Sequence, residues 1–357
     1  MRLKTVTSNL EVHFAGFAIN SLPQNFQDAI YITRQLGFRY LWIDSMCIIQ
    51  DSPEDWQLES LVMGNIYEQA ALTIFALASK HSDAGIFDQS VLKSTPPEII
   101  CRIRNRTDSE QFDSVLLSRY FDMSARKREH ESLASRGWCL QESFLSHRRL
   151  SHSVDQIDFY CHKSLRSATD DANPQVYAIR EPSNSGLQML LQDLLEGRNH
   201  LSQQRVGDPS LLQLSAIRFK ELHNIWLAIC RTYTTTTLAF PKDKLSALAG
   251  IASLFHACLH PSEQYLAGIW SNDVVRGLLW ATELNEDAFP AQVEHPSRSP
   301  LWSWARWDGP IDYSMISRSE LRHDENLATL IKSNIVPTGL SPFGEVEPEF
   351  MSDSFVT

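Results

Sequence analysis

The stretch Tyr40–Asp51, YLWIDSMCIIQD, decides how the rest of the chain is read. Its apolar residues lead up to Asp44, and a second apolar run follows. A short apolar run of this kind, with helical patterns on both sides, predicts a buried strand over 40–49. Asp44 and Ser45 then lie at the edge where open α/β sheets place their chemistry. On these residues alone the plainer alternative, a core strand with a satisfied aspartate, stays open.

Before it, Ser21 and Gln24 have capping-box spacing, and Phe26, Ala29, Ile30, Thr33 and Leu36 recur at helical intervals until Gly37. After it, Ser52 is a cap, Pro53 suits the first helical position, and Glu54 and Asp55 suit the positive end of a helix. Leu58, Leu61, Val62, Ile66 and Ala70 complete that helix's apolar pattern, and Leu72–Ala78 is a second apolar strand candidate. Helix, strand, helix, strand predicts a parallel α/β sheet.

Residues 80–130 carry mixed charge and no clean period. In SRGWCLQESFLS, Ser135–Ser146, a helix puts Trp138, Glu142 and Leu145 on one face, so a carboxylate stands beside a large aromatic on the packing side. Arg149–Val154 and Ile157–Cys161 read as a hairpin. From Ser164 to about Gln213 the composition shifts to Ser, Asn, Asp, Gln, Gly and Pro, with one apolar island at Leu187–Leu195, the mark of a boundary. Helical stripes follow at Leu214, Ile217, Leu222, Ile225, Trp226 and Ile229, and at Leu245, Leu248, Ala252, Phe255 and Leu259. Two tryptophan-rich pieces, 265–280 and 299–311, read as packing anchors.

With 357 residues and 43% hydrophobic content, the chain is long enough for two globular domains. A net charge of -11 offers no footprint for a phosphate backbone and sets nucleic acid aside. No apolar stretch reaches the roughly 20 residues of a membrane span, and Met1–Ala18 has no signal-peptide centre, so the expected address is cytoplasmic. Cys47, Cys101, Cys139, Cys161, Cys230 and Cys258 form no CxxC pair and read as reduced core thiols.

His147, His152 and His162 match no metal-ligand spacing. No local signature makes Cys47 or Cys139 a protease nucleophile, and no Walker loop, GxGxxG or GxSxG is present. Glu142 near Trp138 remains, with Asp44 and Ser45 at a strand end. A helical glutamate is ordinarily structural, so pattern reading stops at a soluble α/β protein with a helical second part.

The blocks LPQNFQDAI, LGFRYLWIDSMCIIQDSPEDW, MGNIYEQAALTIFA, SRGWCLQESFLSHRRL, PKDKLSALAGIA, YLAGIWSNDVVRGLLW and SPLWSWARWDGP resemble, in this order, those of fungal heterokaryon incompatibility (HET) domain proteins. The resemblance implies a cytoplasmic fungal protein of allorecognition and programmed cell death, acting by self-association or with another incompatibility protein. HET domains are in turn similar to the Toll/interleukin-1 receptor (TIR) fold, a flavodoxin-like parallel sheet, and some TIR domains cleave NAD. A W-C-x-x-E motif carries the TIR catalytic glutamate, which implies that role for Glu142, with NAD as substrate and no cofactor. Asp44 and Ser45 would then contact ribose or phosphate, and Trp138 would stack on a substrate ring.

The chain departs from the family in lacking its usual first strand block and in stopping soon after SPFGEVEPEF. The expected architecture is an incomplete TIR-like domain over 1–163, a variable linker over 164–213, and a mainly helical, Trp-rich region over 214–357. Loss of the first strand leaves catalysis in doubt. A non-enzymatic interaction module and an accessory protein of a biosynthetic gene cluster are the alternatives.

Overall fold

A computed structural model describes residues 3–87, 99–104, 112–117, 133, 135–153, 157–161, 164–167, 209–259, 262–282, 293–295, 298–318, 329–333, 335–347 and 354–356. Most of the expected linker lies outside the described residues. At its ends, Ser164–Ser167 is a strand and residues 209–213 already belong to a long helix.

Helix α1 (Leu10–Ala15) precedes α2 (Gln24–Gln35), which stops before Gly37 at a φ of 77°. Pro23, not Ser21, occupies the cap of α2, and no side chain caps it. The predicted strand over 40–49 does not form. Tyr40–Ile43 has no strand pairing among the described residues, Tyr40 is 82% exposed, and Asp44–Cys47 is a one-turn helix, α3. The Ile43 carbonyl accepts from the amides of Met46 and Cys47, and Asp44 Oδ1 accepts from the Ser45 amide at 2.7 Å. With no ladder to supply partners, these local bonds satisfy the backbone and turn it. Thr5 braces the turn: its amide donates to the Ser45 carbonyl, its carbonyl accepts from Gln50, and its hydroxyl donates to the Met46 carbonyl at 2.7 Å.

Helix α4 (Pro53–Gln69) begins as its sequence predicts, with Ser52 Oγ accepting from the Asp55 amide. Its buried face differs from expectation. Leu58, Leu61 and Val62 are exposed, whereas Met63 and Gly64 are buried and Tyr67 is half-buried. A glycine at the crossing point selected this face, because it lets another helix approach.

Strand β1 (Thr73–Phe75) is followed by an antiparallel pair, β2 (Ile99–Arg104) and β3 (Phe112–Leu117), within the stretch whose sequence has no clean period. Helix α5 (Gly137–Leu145) leads to β4 (Arg148–His152), β5 (Ile157–Cys161) and β6 (Ser164–Ser167). The sheet order is β1-β4-β5-β6. β1 and β4 run parallel, with Ile74 opposite Leu150. β4 and β5 form the expected hairpin, with Leu150 opposite Phe159.

Helix α6 (Pro209–Thr234) carries the first predicted stripe; of the second, Ala252 and Phe255 lie on α7 (Ala249–Cys258), Leu248 closes a 3-10 turn before it, and Leu245 and Leu259 flank these elements. Their buried residues join Leu140, Phe144 and Leu145 of α5 in one core, which therefore crosses the expected domain boundary. Trp226, Trp270 and Trp304 are buried there as anchors. The indoles of Trp226 and Trp304 both donate to the Gly268 carbonyl, at 2.9 and 3.1 Å. Gly268 is required twice over: its φ is 101°, and a Cβ would lie 2.8 Å from the Trp304 ring.

One acid gathers a lysine, an arginine and a histidine beside this core. Asp308 receives Lys244 Nζ at 3.3 Å, His295 Nε2 at 2.8 Å and Arg298 Nη2 at 2.9 Å. Burial raises the Asp308 carboxyl, but the Arg298 bond and the nearby positive charges outweigh it and hold the group below its ordinary value. Desolvation lowers Lys244 to about 8. Because the folded carboxyl is the stronger acid, its contribution is present above the unfolded value near 3.8 and is lost as pH falls through the folded one. Asp308→Asn is expected to lower stability at pH 7 by about 1–2 kcal/mol, discounted for partial exposure. Urea unfolding at pH 7 and at pH 3 checks this, the difference shrinking in acid.

Candidate active site

Helix α5 is held from four sides, and the hold comes largely from the second half of the chain. The Gly137 amide donates to the Thr237 carbonyl at 2.8 Å, and Thr237 returns a bond to the Ser135 carbonyl at 2.7 Å. Trp138 packs edge-on against Trp56, with ring centres 6.1 Å apart, and its indole N–H donates to Asp243 at 3.2 Å. Gln141 is buried, and its Oε1 accepts from the Gly250 amide at 2.7 Å, satisfying a free donor in the first turn of α7. At the far end, Ser146 Oγ donates to the Glu142 carbonyl and lies 2.7 Å from Thr73 Oγ1 on β1. Arg149 on β4 reaches back to the Ser143 carbonyl at 3.0 Å and to its hydroxyl, with its guanidinium over the Tyr160 ring.

Glu142 retains some solvent exposure yet is closely surrounded by protein atoms. Burial lifts its carboxyl from 4.5 to about 7, and the negative charge of Asp44 adds to the rise. Arg136 opposes it, as do the Tyr67 hydroxyl and the Cys139 thiol. Desolvation first, and the Glu142 charge second, push the Tyr67 hydroxyl and the Cys139 thiol above their ordinary values, so both remain protonated donors.

The structure brings Asp44 and Glu142 into electrostatic contact, although they are far apart in sequence. Asp44 is exposed at the first residue of α3. Ser45, next to it, takes part through its backbone amide and carbonyl. Trp138 uses its indole N–H to dock α5 onto Asp243. Tyr67, Arg136 and Cys139 escaped the reading of the sequence. For Tyr67 the available signal was the i, i+4 pair it forms with Met63 on the buried side of α4; Arg136 and Cys139 flank Trp138 within the motif already singled out.

Residues 4–142 match the family model described as Heterokaryon incompatibility protein (HET). The chain carries a HET domain. The match includes Asp44, Ser45, Tyr67 and Trp138 and closes on Glu142. Over that span, which is less than half of the chain, the sequence is similar to heterokaryon incompatibility proteins. No curated protein and no solved structure matches the chain.

The HET domain's last helix, α5, is thus positioned by residues beyond the matched span, from Thr237 to Gly250. Among the described residues no group of three or more His, Cys, Asp or Glu side chains is placed to hold a metal ion. No described helix is long and apolar enough to cross a membrane. Among the described residues the cysteines are free thiols; Cys139 and Cys230 are buried as expected, whereas Cys47 is exposed.

Because Asp44 raises Glu142 by like-charge repulsion, Asp44→Asn is expected to move the Glu142 titration midpoint below about 7. Carboxyl-carbon NMR of glutamate-labelled protein, with Glu142→Gln to assign the resonance, reads the shift.

Proposed function

We propose that this HET domain cleaves the N-glycosidic bond of NAD, with Glu142 as the catalytic carboxylate, in a cytoplasmic, self-association-triggered cell-death response. The observation that carries the proposal is the environment of Glu142: a carboxyl enclosed by protein, lifted to about 7, with Asp44 close by. In NAD the nicotinamide ring is already a cation and leaves as a neutral molecule, so no strong general acid is needed. As the C1′–N bond breaks, its electron pair goes to the ring nitrogen and positive charge builds on the ribose. A carboxylate facing that charge stabilises the oxocarbenium-like transition state. Water then adds at C1′, and its proton passes to a carboxylate or to solvent, giving nicotinamide and ADP-ribose.

The raised value suits this role. A cationic ring bound beside Glu142 favours the ionised form, so substrate restores the charge that burial disfavours. In the same proposal Asp44, exposed at the start of α3, contacts ribose hydroxyls, and Ser45 and Trp138 are neighbours of the ribose and the ring. A TIR-like, flavodoxin-like sheet is also proposed, supported by the parallel pairing of β1 and β4 across α5.

The test is nicotinamide and ADP-ribose release from NAD by the full chain, over a concentration series that spans self-association. Release that rises with association is expected. Intact NAD throughout, with the protein folded by circular dichroism, overturns the reading.

A second reading rests on a different observation. Among the described residues Tyr40–Ile43 pairs with no strand, and Phe14, Phe17, Phe38 and Tyr40 are exposed around the first elements. Such a surface suits recruitment of a partner without catalysis. A cell-death phenotype that survives Glu142→Gln would favour it.

A further inference from the structure

We propose that the solvent face of α4 is a docking surface for a basic amphipathic helix of a partner protein. This surface is separate from the aromatic residues around the first elements, and its role does not depend on NAD cleavage.

Leu58, Leu61 and Val62 are 57%, 44% and 40% exposed on α4, and their i, i+3, i+4 spacing sets them side by side on one face. A single exposed leucine is ordinary on a protein surface, but three adjoining aliphatic side chains in the middle of one helix make a contiguous patch. Exposed Glu54 lies one turn before Leu58, and exposed Asn65 lies one turn after Leu61.

This face cannot be turned inward. Trp56 lies edge-on to Trp138 with ring centres 6.1 Å apart, and Tyr67 lies edge-on to Trp42 at 5.6 Å. Between them Gly64 meets Gly250 of α7 so closely that a Cβ on Gly64 would lie 3.0 Å from the Gly250 Cα. Rotating α4 to bury Leu61 or Val62 would bring a branched side chain to a crossing that fits only glycine. The apolar face of α4 therefore stays outside the core that the opposite face builds.

Charge selects what covers it. α4 carries Glu54, Asp55, Glu59 and Glu68, and no lysine, arginine or histidine along its length. Asp55 is turned to its own chain, where it accepts from the Ile49 amide at 2.7 Å, while Glu54 stands exposed at the end of the patch. Two copies of α4 packed antiparallel about Leu61 would set Glu54 against the other copy's Glu68, and packed parallel would set each acid against itself. Like charges so placed oppose association. The chain's own apolar island, Leu187–Leu195, lies outside the described residues; it contains Asp193, is followed by Glu196, and has no basic residue. A partner helix with apolar residues at i, i+3, i+4 and i+7 and cations on both flanks meets both requirements, because its stripe covers the aliphatic patch while its cations face the acids.

The test uses the full chain and a fluorescein-labelled synthetic helical peptide with leucines at i, i+3, i+4 and i+7 and lysine and arginine on both flanks. The same peptide with glutamate in place of every cation is the comparison. Fluorescence anisotropy is expected to show saturable binding of the basic peptide that weakens as salt is raised, and binding of the acidic peptide weaker by about tenfold or more. Leu58→Ser combined with Leu61→Ser should weaken the basic peptide by about tenfold or more. The unfolding midpoint should stay within about 2 °C, because both side chains are exposed. Glu54→Lys combined with Glu68→Lys should reverse the preference between the peptides. Absent binding, equal binding of the two peptides, or binding indifferent to the leucine substitutions overturns the proposal. A dimer in sedimentation velocity that the leucine substitutions dissociate overturns it in favour of a second copy. Binding that appears only after the leucines of 187–195 are replaced by serine overturns it in favour of the chain's own segment.

Discussion

Glu142→Gln is expected to lower nicotinamide release by about 100-fold to 1000-fold with little change in KM, because the lost carboxylate acts on charge that exists only in the transition state. Under the proposed function the carboxylate is the working form in the unsubstituted protein. Release should therefore rise with pH to a plateau, with a midpoint near 7 if the free-enzyme value governs kcat/KM. Asp44→Asn should carry that limb downward.

The same substitution has a stability signature of opposite sign. The folded Glu142 carboxyl binds its proton more tightly than the unfolded one, about 7 against 4.5. Below the unfolded value both states are protonated and the group is neutral toward folding. As pH rises from 4.5 to 7 the unfolded state loses its proton first, and the folded state is disfavoured increasingly, by a limiting amount on the order of 3 kcal/mol. Glutamine cannot ionise, so Glu142→Gln should raise the unfolding midpoint at pH 8 relative to the unsubstituted chain and change it least at pH 4.5. Lost activity accompanied by gained alkaline stability is the pattern expected of a charge held in place for function. A fall in midpoint at both pH values would instead describe a structural glutamate.

The second large effect is expected at Gly250. A Cβ there would lie 2.9 Å from Gln141 Oε1, 3.0 Å from the Gly64 Cα and 3.0 Å from Leu145 Cδ1. Two of these neighbours belong to α5, which carries Glu142, and the third is backbone of α4, which carries Tyr67. Relief requires the helices to separate. Gly250→Ala is expected to cost about 3 kcal/mol and to loosen the site even at temperatures where the protein remains folded. Calorimetry gives the first effect, and the NMR midpoint of Glu142 gives the second. Gly339→Ala, where a Cβ meets nothing within 4 Å, is the neutral control. Equal midpoints for the two variants would mean that α4, α5 and α7 are not locked at this point.

The family match covers residues 4–142, but the helix closing that span is completed from outside it. Leu140, Phe144 and Leu145 are buried against residues of α6, α7 and the tryptophan-rich segments. The second half of the chain is therefore part of what positions Glu142 and Tyr67.

Local signals in the sequence determined a good deal of this protein. Ser52 and Pro53 started α4, Gly37 followed the end of α2, β4 and β5 formed the hairpin their alternation announced, and the tryptophans of 265–280 and 299–311 went into the core. Each of these outcomes depends on a bond or a burial choice within a few residues. The sequence also carried Glu142 in its motif, at the end of the stretch that matches the HET model. Only the tertiary structure decided the rest. Tyr40–Ile43 has the composition of a strand, but a strand exists through neighbours elsewhere in the chain, and among the described residues none pairs with it. The buried face of α4 was set by the meeting of Gly64 and Gly250, a contact between distant residues that periodicity along one helix cannot encode. The value of about 7 at Glu142 arises from burial by packing and from a charge on α3. Neither is a property of the motif that contains Glu142, because both depend on which distant residues the fold brings to it.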